Sequence, residues 1–305
     1  MDYVVETEYD GRPVRDIIRH LGISGATLRH LKFLDDGIML NGKRVTVRAI
    51  AHTGDILVLA TDDREPQEAL LPVDLPLRLA YEDADAVVPD KPCDMPTHPS
   101  HNHHEDTVAN ALAYRYAALG IPFVFRPVNR LDRNTSGLVL IARNRPAAAT
   151  LARAMKSGEI KKKYLAILDG VPPQSEGEIE TYIRRTAESI IVRENCQADE
   201  GGDYALTRYR VLAAESGHAL VEASPITGRT HQLRVHFAGI GCPITGDDMY
   251  GSPSEQIGRH ALHAASLTFP RVSDGQPITI DAPLHEDMQR LARLLFPRYC
   301  EQNQT

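Results

Sequence analysis

Short β-rich runs dominate the chain after residue 130, and they restrict the fold more than any other feature. Helical signals are fewer: an Ala-rich stretch over 107–119 that ends before Gly120, and a stretch over 146–157 with proline in its first turn. Strands interrupted by only a few helices are typical of α+β proteins, not of alternating βαβ units. The sequence therefore predicts an α+β fold with a mainly antiparallel mixed sheet. Its predicted strands are 138–142, 163–169, 190–193, 206–213 and 219–223.

The first 60 residues carry a different pattern. Apolar residues recur with helical spacing over 14–21, and a second helix is predicted over 24–34. Over 38–45, the dipeptide Asn41-Gly42 is the strongest short signal for a β-hairpin, and the run 56–59 indicates a further strand. The sequence predicts a small unit of two helices followed by a hairpin.

Residues 61–79 separate these two patterns. The stretch combines acidic residues with three prolines, which discourages a packed element and indicates a linker. A chain of 305 residues also exceeds the size of one average domain. We expect a small domain over 1–60, a linker over 61–79 and a large domain over 80–305.

The distribution of charge bears on possible partners. A formal net charge of −7 argues against a nucleic-acid ligand, because phosphate binding needs positive charge. Basic residues nevertheless outnumber acidic ones over 11–50 and over 121–170, whereas 61–90 is strongly acidic. A polyanion-binding protein needs such segregation, although a solvated charged face also produces it.

The composition excludes several protein classes. Hydrophobic residues make up 42% and charged residues 25% of the chain, which is typical of globular proteins and not of disordered ones. No apolar run approaches the ~20 residues of a membrane-spanning helix, and the acidic N-terminus does not resemble a secretion signal. Four isolated cysteines fit neither a zinc-ligand spacing nor a disulfide framework. We expect a soluble, cytoplasmic protein with reduced thiols.

One motif combines charge with a tight turn. Asp132 stands between Arg130 and Arg133, and the small-polar sequence 134–137 follows it. Asp, Ser and Gly are common in turns because the side chains bond to nearby amides and glycine accepts positive φ. The local chemistry leaves two hypotheses open, a simple turn and a reactive carboxylate.

Resemblance separates these hypotheses. The motif resembles the Arg-Leu-Asp-x-x-Thr-Ser-Gly signature of the RluA-type pseudouridine synthases, with Asp132 at the position of the catalytic aspartate. The resemblance implies a pseudouridine synthase catalytic domain that isomerises uridines of RNA without a cofactor or a metal. The first 60 residues resemble an α-L RNA-binding domain. Further blocks that resemble the family, in its order, are 90–92 with 97–99, 162–166, 225–236, 243–247 with Tyr250, and Arg259 with 262–264.

The resemblance also implies three catalytic residues. Asp132 would be a covalent catalyst that attacks either the uracil ring or the ribose anomeric carbon, and the residues do not choose between these routes. Tyr164 would stack on the uracil and take part in proton transfer from carbon 5. Arg234 would pair with Asp132, because a carboxylate in a dry pocket needs a cation beside it to remain ionised.

Basic residues are the candidate RNA contacts, and Arg130 would act in flipping the target base out of its stack. The partner would be structured RNA, with ribosomal RNA favoured over transfer RNA because of the accessory basic domain. We expect a monomer, since the protein must enclose part of a large RNA. The candidate contacts are Arg130, Arg133, Lys162 and Arg229 in the large domain, and Arg29, Lys32, Lys43 and Arg44 in the small one.

The segment 229–240 carries two periodicities. Leu233, Phe237 and Ile240 follow helical spacing and Thr230 is positioned to cap the helix, although a strand over 229–237 would also alternate. We favour the helix, which places Arg234 about one turn from its start.

Two other functions remain as alternatives. A zinc-dependent hydrolase would use the histidines and acids crowded between His98 and Asp106, since His-x-His with nearby acids can bind zinc. A non-catalytic RNA-binding adaptor would use only the basic N-terminal domain. The segment 98–106 lies in a polar loop and has no second ligand cluster, so the sequence favours the isomerase.

Overall fold

The computed structural model describes residues 2–21, 23, 28, 31–32, 34, 36–60, 70–100, 102–189 and 191–303. The candidate RNA contact Arg29 lies outside these residues, as do His101 and most of the second helix predicted over 24–34. No helix in the described part of the chain is long and apolar enough to cross a membrane.

The described residues between 2 and 60 form a small unit with its own apolar core. Val14, Ile17 and Ile18 lie buried on one face of its helix against the sheet. Asn41 and Gly42 have φ angles of 50° and 74°, which a two-residue hairpin turn requires. The predicted first helix and the hairpin are confirmed. The elements are β1 (Asp2–Val4), β2 (Arg12–Pro13), α1 (Val14–His20), β3 (Ile38–Leu40), β4 (Lys43–Arg44), β5 (Ile50–Ala51) and β6 (Ile56–Leu59).

The strands of this unit pair in two groups. Four of them make an antiparallel sheet in the order β1-β6-β3-β4, and β2 pairs separately with β5. Residues 70–77, part of the stretch that the sequence assigns to a linker, form no helix or strand. Leu75 and Leu77 nevertheless pack against the core of the following residues.

Residues 78–281 supply one twelve-stranded sheet. Its strands are β7 (Arg78–Glu82), β8 (Ala86–Lys91), β9 (Arg126–Pro127), β10 (Ser136–Leu138), β11 (Ile141–Ala142), β12 (Lys161–Asp169), β13 (Glu176–Arg185), β14 (Arg193–Cys196), β15 (Asp203–Glu215), β16 (His218–Pro225), β17 (Leu262–Pro270) and β18 (Pro277–Asp281). Ten strands lie in the order β14-β13-β15-β16-β12-β17-β10-β8-β11-β9, while β7 pairs with β8 and β18 with β17. Among these described strands, only β10 and β17 pair in parallel, so the predicted α+β fold with a mainly antiparallel mixed sheet is confirmed.

Five helices accompany this sheet in the described residues: α2 (Val108–Ala118), α3 (Arg145–Ser157), α4 (Gln232–Gly239), α5 (Glu286–Leu295) and α6 (Pro297–Asn303). Thr107 caps α2 by accepting a hydrogen bond from the Asn110 N–H, and the Asn110 side chain accepts one in return. Gly158, with a φ of 76°, ends α3 in the left-handed conformation. The predictions for α2 and α3 are confirmed.

Both faces of the sheet are covered near its centre. Neighbouring residues of a strand point to opposite faces, and Val87 and Val88 of β8 belong to different cores. Val87 lies in the cluster that contains Leu112 of α2 and Phe237 of α4, whereas Val88 lies in the cluster that contains Leu151 of α3. The short strand β10 is therefore held inside the molecule, and the loop before it starts from a rigid base.

The predicted strands differ from the structure in their bounds, and β7, β9, β13, β17 and β18 were not predicted. The strand predicted over 190–193, whose first residue lies outside the described residues, is wrong in its bounds, since the structure has a strand at Arg193–Cys196. The run 138–142 divides into β10 and β11, since the Leu140 N–H bonds to the Asn129 side chain instead of a neighbouring strand. β13 was missed because its exposed positions are all charged, three glutamates and Arg185, and only Ile179 and Ile183 of this strand are buried in a core.

Candidate active site

Asp132 lies in the loop that connects β9 to β10. Its side chain is 30% exposed, and the Thr135 N–H donates to its carbonyl oxygen at 3.0 Å, which closes a turn around it. The turn suggested by the sequence is thus present. It holds the loop that carries the Asp132 carboxylate, so the turn and a reactive carboxylate are compatible.

Side chains from a distant part of the sequence anchor the end of this turn. The Thr135 hydroxyl lies 2.8 Å from Nε2 of His260. The Ser136 hydroxyl accepts from Arg259 at 3.1 Å and lies 2.9 Å from Nδ1 of His263. Nε2 of His263 faces the Ala282 carbonyl and must donate to it, so Nδ1 accepts the Ser136 proton. The loop of Asp132 is therefore fixed by residues just before and inside β17.

Backbone constraints fix the same loop. Gly137 has a φ of 108°, and a Cβ there would collide with the backbone of Ala264 on the paired strand. The ammonium of Lys91, which is fully buried, donates to the carbonyls of Pro92, Met95 and Arg133 at 2.8 to 2.9 Å. Burial lowers the pKa of Lys91 to about 7, and the three carbonyls satisfy its hydrogens. Lys91 thus joins the loop of Asp132 to the loop after β8.

A cavity of about 530 Å³ opens beside Asp132. Its wall comes from the loop before β10, from the start of β12 and from the segment that leads into α4. A cavity of this size falls in the range of small-ligand sites. The candidate residues that line it are Asp132, Tyr164, Arg234, Arg130, Lys162 and Arg229.

Arg234 is buried and is paired twice. Its guanidinium donates to Oδ2 and Oδ1 of Asp247 at 2.7 and 2.8 Å, and its NH1 lies 3.6 Å from Oδ2 of Asp132. Burial opposes the charge of Arg234, but Asp247 and then Asp132 raise the pKa of the guanidinium above its ordinary value. Asp247 is fully buried, and the Arg234 guanidinium lowers its pKa although burial acts in the other direction. Arg234 therefore presents a fixed positive charge to Asp132.

Tyr164 lies on β12 and is buried at the cavity wall. Burial, and then the negative charge of Asp132, raise the pKa of its phenol well above the ordinary value. The side chain is therefore a neutral phenol at physiological pH, with its ring available to a ligand in the cavity.

α4 forms as predicted, but it begins at Gln232 and its N-cap is His231 instead of Thr230. His231 adopts the left-handed conformation, with a φ of 58°, and its side chain is 10% exposed. Its Nε2 lies 3.9 Å from Oδ2 of Asp132, and its Nδ1 lies 2.8 Å from the Tyr250 hydroxyl.

His231 and Tyr250 lie within the sequence blocks that resemble the family, but neither residue has a role predicted from the sequence. A histidine beside an arginine-containing motif was the available signal. The left-handed turn and the approach of Tyr250 arise only from tertiary structure.

The remaining candidate RNA contacts lie apart from the cavity. Arg133 contacts two residues of the loop after β8. Its guanidinium lies 3.2 Å from the Asp94 carboxylate and 3.3 Å from Nε2 of His103. Lys43 and Arg44 are exposed on β4, and Lys32 is exposed in the same N-terminal unit. These positions leave their side chains accessible to a large ligand.

The histidine-rich segment divides between two environments. His98 lines the cavity, whereas Nδ1 of His103 lies 2.6 Å from Asp106. Within the described residues, which leave out His101, no group of three or more His, Cys, Asp or Glu side chains is arranged to hold a metal ion. The hydrolase alternative has no geometric support in this part of the chain.

The sequence of the chain is similar to those of several known proteins. A family model described as RNA pseudouridylate synthase matches residues 85–239. The chain is 35% identical to the uncharacterized RNA pseudouridine synthase YjbO of Bacillus subtilis over 280 residues, which are 92% of this chain and 98% of that protein. It is 36% identical to the ribosomal large subunit pseudouridine synthase D of Zymomonas mobilis over 240 residues, 74% of each chain.

A solved structure adds a fold comparison. The human RNA pseudouridylate synthase domain containing 1 superposes with a TM-score of 0.58 at 30% sequence identity. The match covers 68% of this chain and 84% of that one.

Proposed function

Because the chain belongs to the RluA-type RNA pseudouridine synthase family, and is therefore an isomerase of RNA uridines, we propose that it modifies structured ribosomal RNA with Asp132 as covalent catalyst. One observation carries the assignment of Asp132: three separate segments bring Asp132, Tyr164 and Arg234 to the wall of one cavity. Neither the zinc hydrolase nor the non-catalytic adaptor is favoured by membership of this family.

The reaction sets the demands on the site. The bond between N1 and the ribose C1′ breaks, a bond between C5 and C1′ forms, one proton leaves C5 and N1 ends with a proton. Asp132 attacks either C1′ or the uracil ring, which divides one difficult exchange into two easier steps. The carboxylate is regenerated when the C5–C1′ bond has formed, so the chemistry balances without a co-reactant.

Arg234 and Tyr164 support different stages. Arg234 holds positive charge 3.6 Å from Oδ2 of Asp132 before attack. The Asp132 charge is one of the two causes that raise the pKa of Tyr164. A covalent bond to Asp132 removes that charge and lowers the pKa of the phenol, which favours the phenolate, the form of Tyr164 that can accept the proton leaving carbon 5.

The target base enters the cavity from outside the RNA stack. Enzymes that act on a base within a polynucleotide flip it into a pocket and fill the gap that it leaves. Arg130 lies next to Asp132 on the cavity wall and takes the role of filling that gap. Lys162 and Arg229 lie on the same wall and contact the phosphates.

Ribosomal RNA is the proposed target. The name of the similar Zymomonas mobilis protein, and that of a Pseudomonas aeruginosa protein 31% identical over 306 residues, state action on the large ribosomal subunit. In this proposal residues 1–60 are an accessory RNA-binding domain and residues 80–305 the catalytic domain. The enzyme acts as a monomer in the cytoplasm.

The Asp132→Asn variant tests the catalytic assignment. It should fold and bind RNA like the wild type but form no pseudouridine, because an amide does not make the covalent intermediate. Pseudouridine formation by this variant would contradict the proposal. Mapping pseudouridines in total RNA from cells with and without the protein tests the target, and a loss confined to transfer RNA would exclude ribosomal RNA.

A further inference from the structure

We propose that Tyr250 and His231 form a positioning pair that aims the Nε2–H of His231 at the carboxylate of Asp132 and holds this carboxylate for attack. The inference rests on the proposed function, since it concerns how the proposed nucleophile is oriented. The pair reaches the site from two segments, the residue before α4 and the loop after Asp247.

The donors and acceptors around Tyr250 assign the tautomer of His231. The Tyr250 oxygen accepts the backbone N–H of Arg193 at 2.8 Å and lies 2.8 Å from Nδ1 of His231. A phenol has one hydrogen, and Nδ1 is the acceptor among the described residues that lies within reach of it. Tyr250 therefore donates to Nδ1, and the ring proton of neutral His231 lies on Nε2.

The surroundings keep His231 neutral. Burial lowers the pKa of its ring, and the charges of Arg234 and Arg193 act in the same direction, while those of Asp132 and Asp247 oppose them. Its backbone holds the left-handed conformation, which is uncommon for residues other than glycine. The His231 side chain is 10% exposed and its Nδ1 lies 2.8 Å from the Tyr250 hydroxyl, and these two constraints give the ring a defined direction.

The ring of His231 points at a carboxylate that can rotate about its terminal torsion. The terminal torsion of an aspartate is broad, so its carboxylate rotates unless donors hold it. Nε2 of His231 and NH1 of Arg234 both approach Oδ2 of Asp132, at 3.9 and 3.6 Å. Contacts of catalytic groups are often long before the substrate binds and shorten in the complex. Two donors on one oxygen then restrict the rotation of the carboxylate.

Histidine variants test the donor. His231→Asn suits the left-handed backbone but is too short to reach Asp132, whereas His231→Gln retains an N–H at the reach of Nε2. Loss of a hydrogen bond to a charged group should slow single-turnover pseudouridine formation about ten-fold or more in His231→Asn. The Kd for RNA should stay unchanged, and His231→Gln should recover part of the rate. A wild-type rate in His231→Asn, or equal rates in the two folded variants, would overturn the proposal.

Tyr250→Phe tests the pairing by a double-mutant cycle. The phenylalanine keeps the ring beside Arg234 but loses the hydroxyl. Tyr250→Phe should slow the wild type several-fold and should have no further effect on the rate of His231→Asn. Tyr114→Phe, on the exposed side of α2, is the matched control and should leave the rate unchanged. Additive effects of the two site variants would refute the pairing.

Two controls separate the possible failures. Circular dichroism and thermal melting identify a variant that does not fold, and if His231→Asn fails to fold, the cycle is built with His231→Gln instead. Asp132→Asn is measured in the same assay. Activity of Asp132→Asn contradicts the proposed function, whereas additivity with an inactive Asp132→Asn contradicts the positioning pair alone.

Discussion

The carboxylate of Asp132 and the guanidinium of Arg234 lie 3.6 Å apart, but the shortest contacts of Arg234 go to Asp247. Asp247 in turn accepts the backbone N–H groups of Met249 and Tyr250 at 3.1 Å. The arginine is therefore held by a partner that takes no part in the proposed attack. Asp132 keeps its cation without having to hold it in place.

Arg234→Gln should affect activity and stability together. The change removes the cation beside Asp132 and leaves the buried Asp247 without its main partner. We expect a loss of activity of at least about 100-fold and a destabilisation of about 3 kcal/mol, measured by single-turnover assays and urea unfolding.

The double variant Arg234→Gln/Asp247→Asn separates these two effects. Without the buried charge, much of the stability should return while the activity remains lost. Recovery of activity together with stability would show that Arg234 serves only the fold.

Element-scale constraints act on β10. This strand pairs in parallel with β17 and antiparallel with β8, and Gly137 stands where both neighbours approach. A side chain at this position would have to displace the backbone of Ala264, and β10 begins just four residues after Asp132.

Gly137→Ala should therefore lower both stability and the single-turnover rate. Positive φ combined with a backbone collision should cost at least about 2 kcal/mol in urea unfolding. Gly158→Ala at the end of α3 is the matched control, because its φ is also positive but open space surrounds it. A cost at Gly137 no larger than that at Gly158 would contradict this account of the close approach.

Among the helices and strands, the sequence predicts the features that depend on neighbouring residues, such as helix ends and tight turns. Thr107, Pro146 and Gly158 mark helix ends, and Asn41-Gly42 marks a turn, because each acts through its own backbone or side chain. β13 was not predicted because its pattern of apolar and polar residues depends on which face of the strand meets a core. Asp132 was found through a contiguous motif, whereas the pairing of His231 with Tyr250 depends on a left-handed residue and on contacts 19 residues apart. Such contacts follow from packing and not from local pattern.

Across the whole molecule, buried histidines connect stability to pH. Burial lowers the pKa of His236 and His263 to about 4 and that of His260 to about 3, from the ordinary 6.5. Below pH 6.5 the unfolded chain binds protons that the folded chain does not. Their contribution is therefore complete above this pH and is lost as the pH falls.

The free energy of unfolding should fall from about pH 6.5 downward, by up to about 1.4 kcal/mol per pH unit for each histidine. Urea unfolding at several pH values measures this slope. His236→Gln removes one titrating group and should reduce the slope by about one proton. A flat profile between about pH 6.5 and about pH 5 would contradict the burial argument.

Removal of residues 1–60 should weaken RNA binding more than catalysis. The N-terminal unit carries exposed Lys43 and Arg44, and each lost phosphate contact lowers the dependence of affinity on salt. Binding assays across a salt series should show a higher Kd and a smaller slope, while the rate at saturating RNA is retained. An unchanged salt slope would exclude these residues as an electrostatic RNA contact.

The anchoring of the Asp132 loop has a consequence for biosynthesis. Ser136 bonds to His263, 127 residues later in the chain, and Thr135 bonds to His260. Domains begin to fold while the ribosome is still translating them, from the N-terminal end. A nascent chain that has emerged only as far as β16 already carries Asp132, Tyr164 and the first 60 residues, yet it lacks β17, one of the two strands that pair with β10. Before β17 has been translated, the loop of Asp132 lacks these anchors, so we expect the site around Asp132 to form only after that strand has emerged.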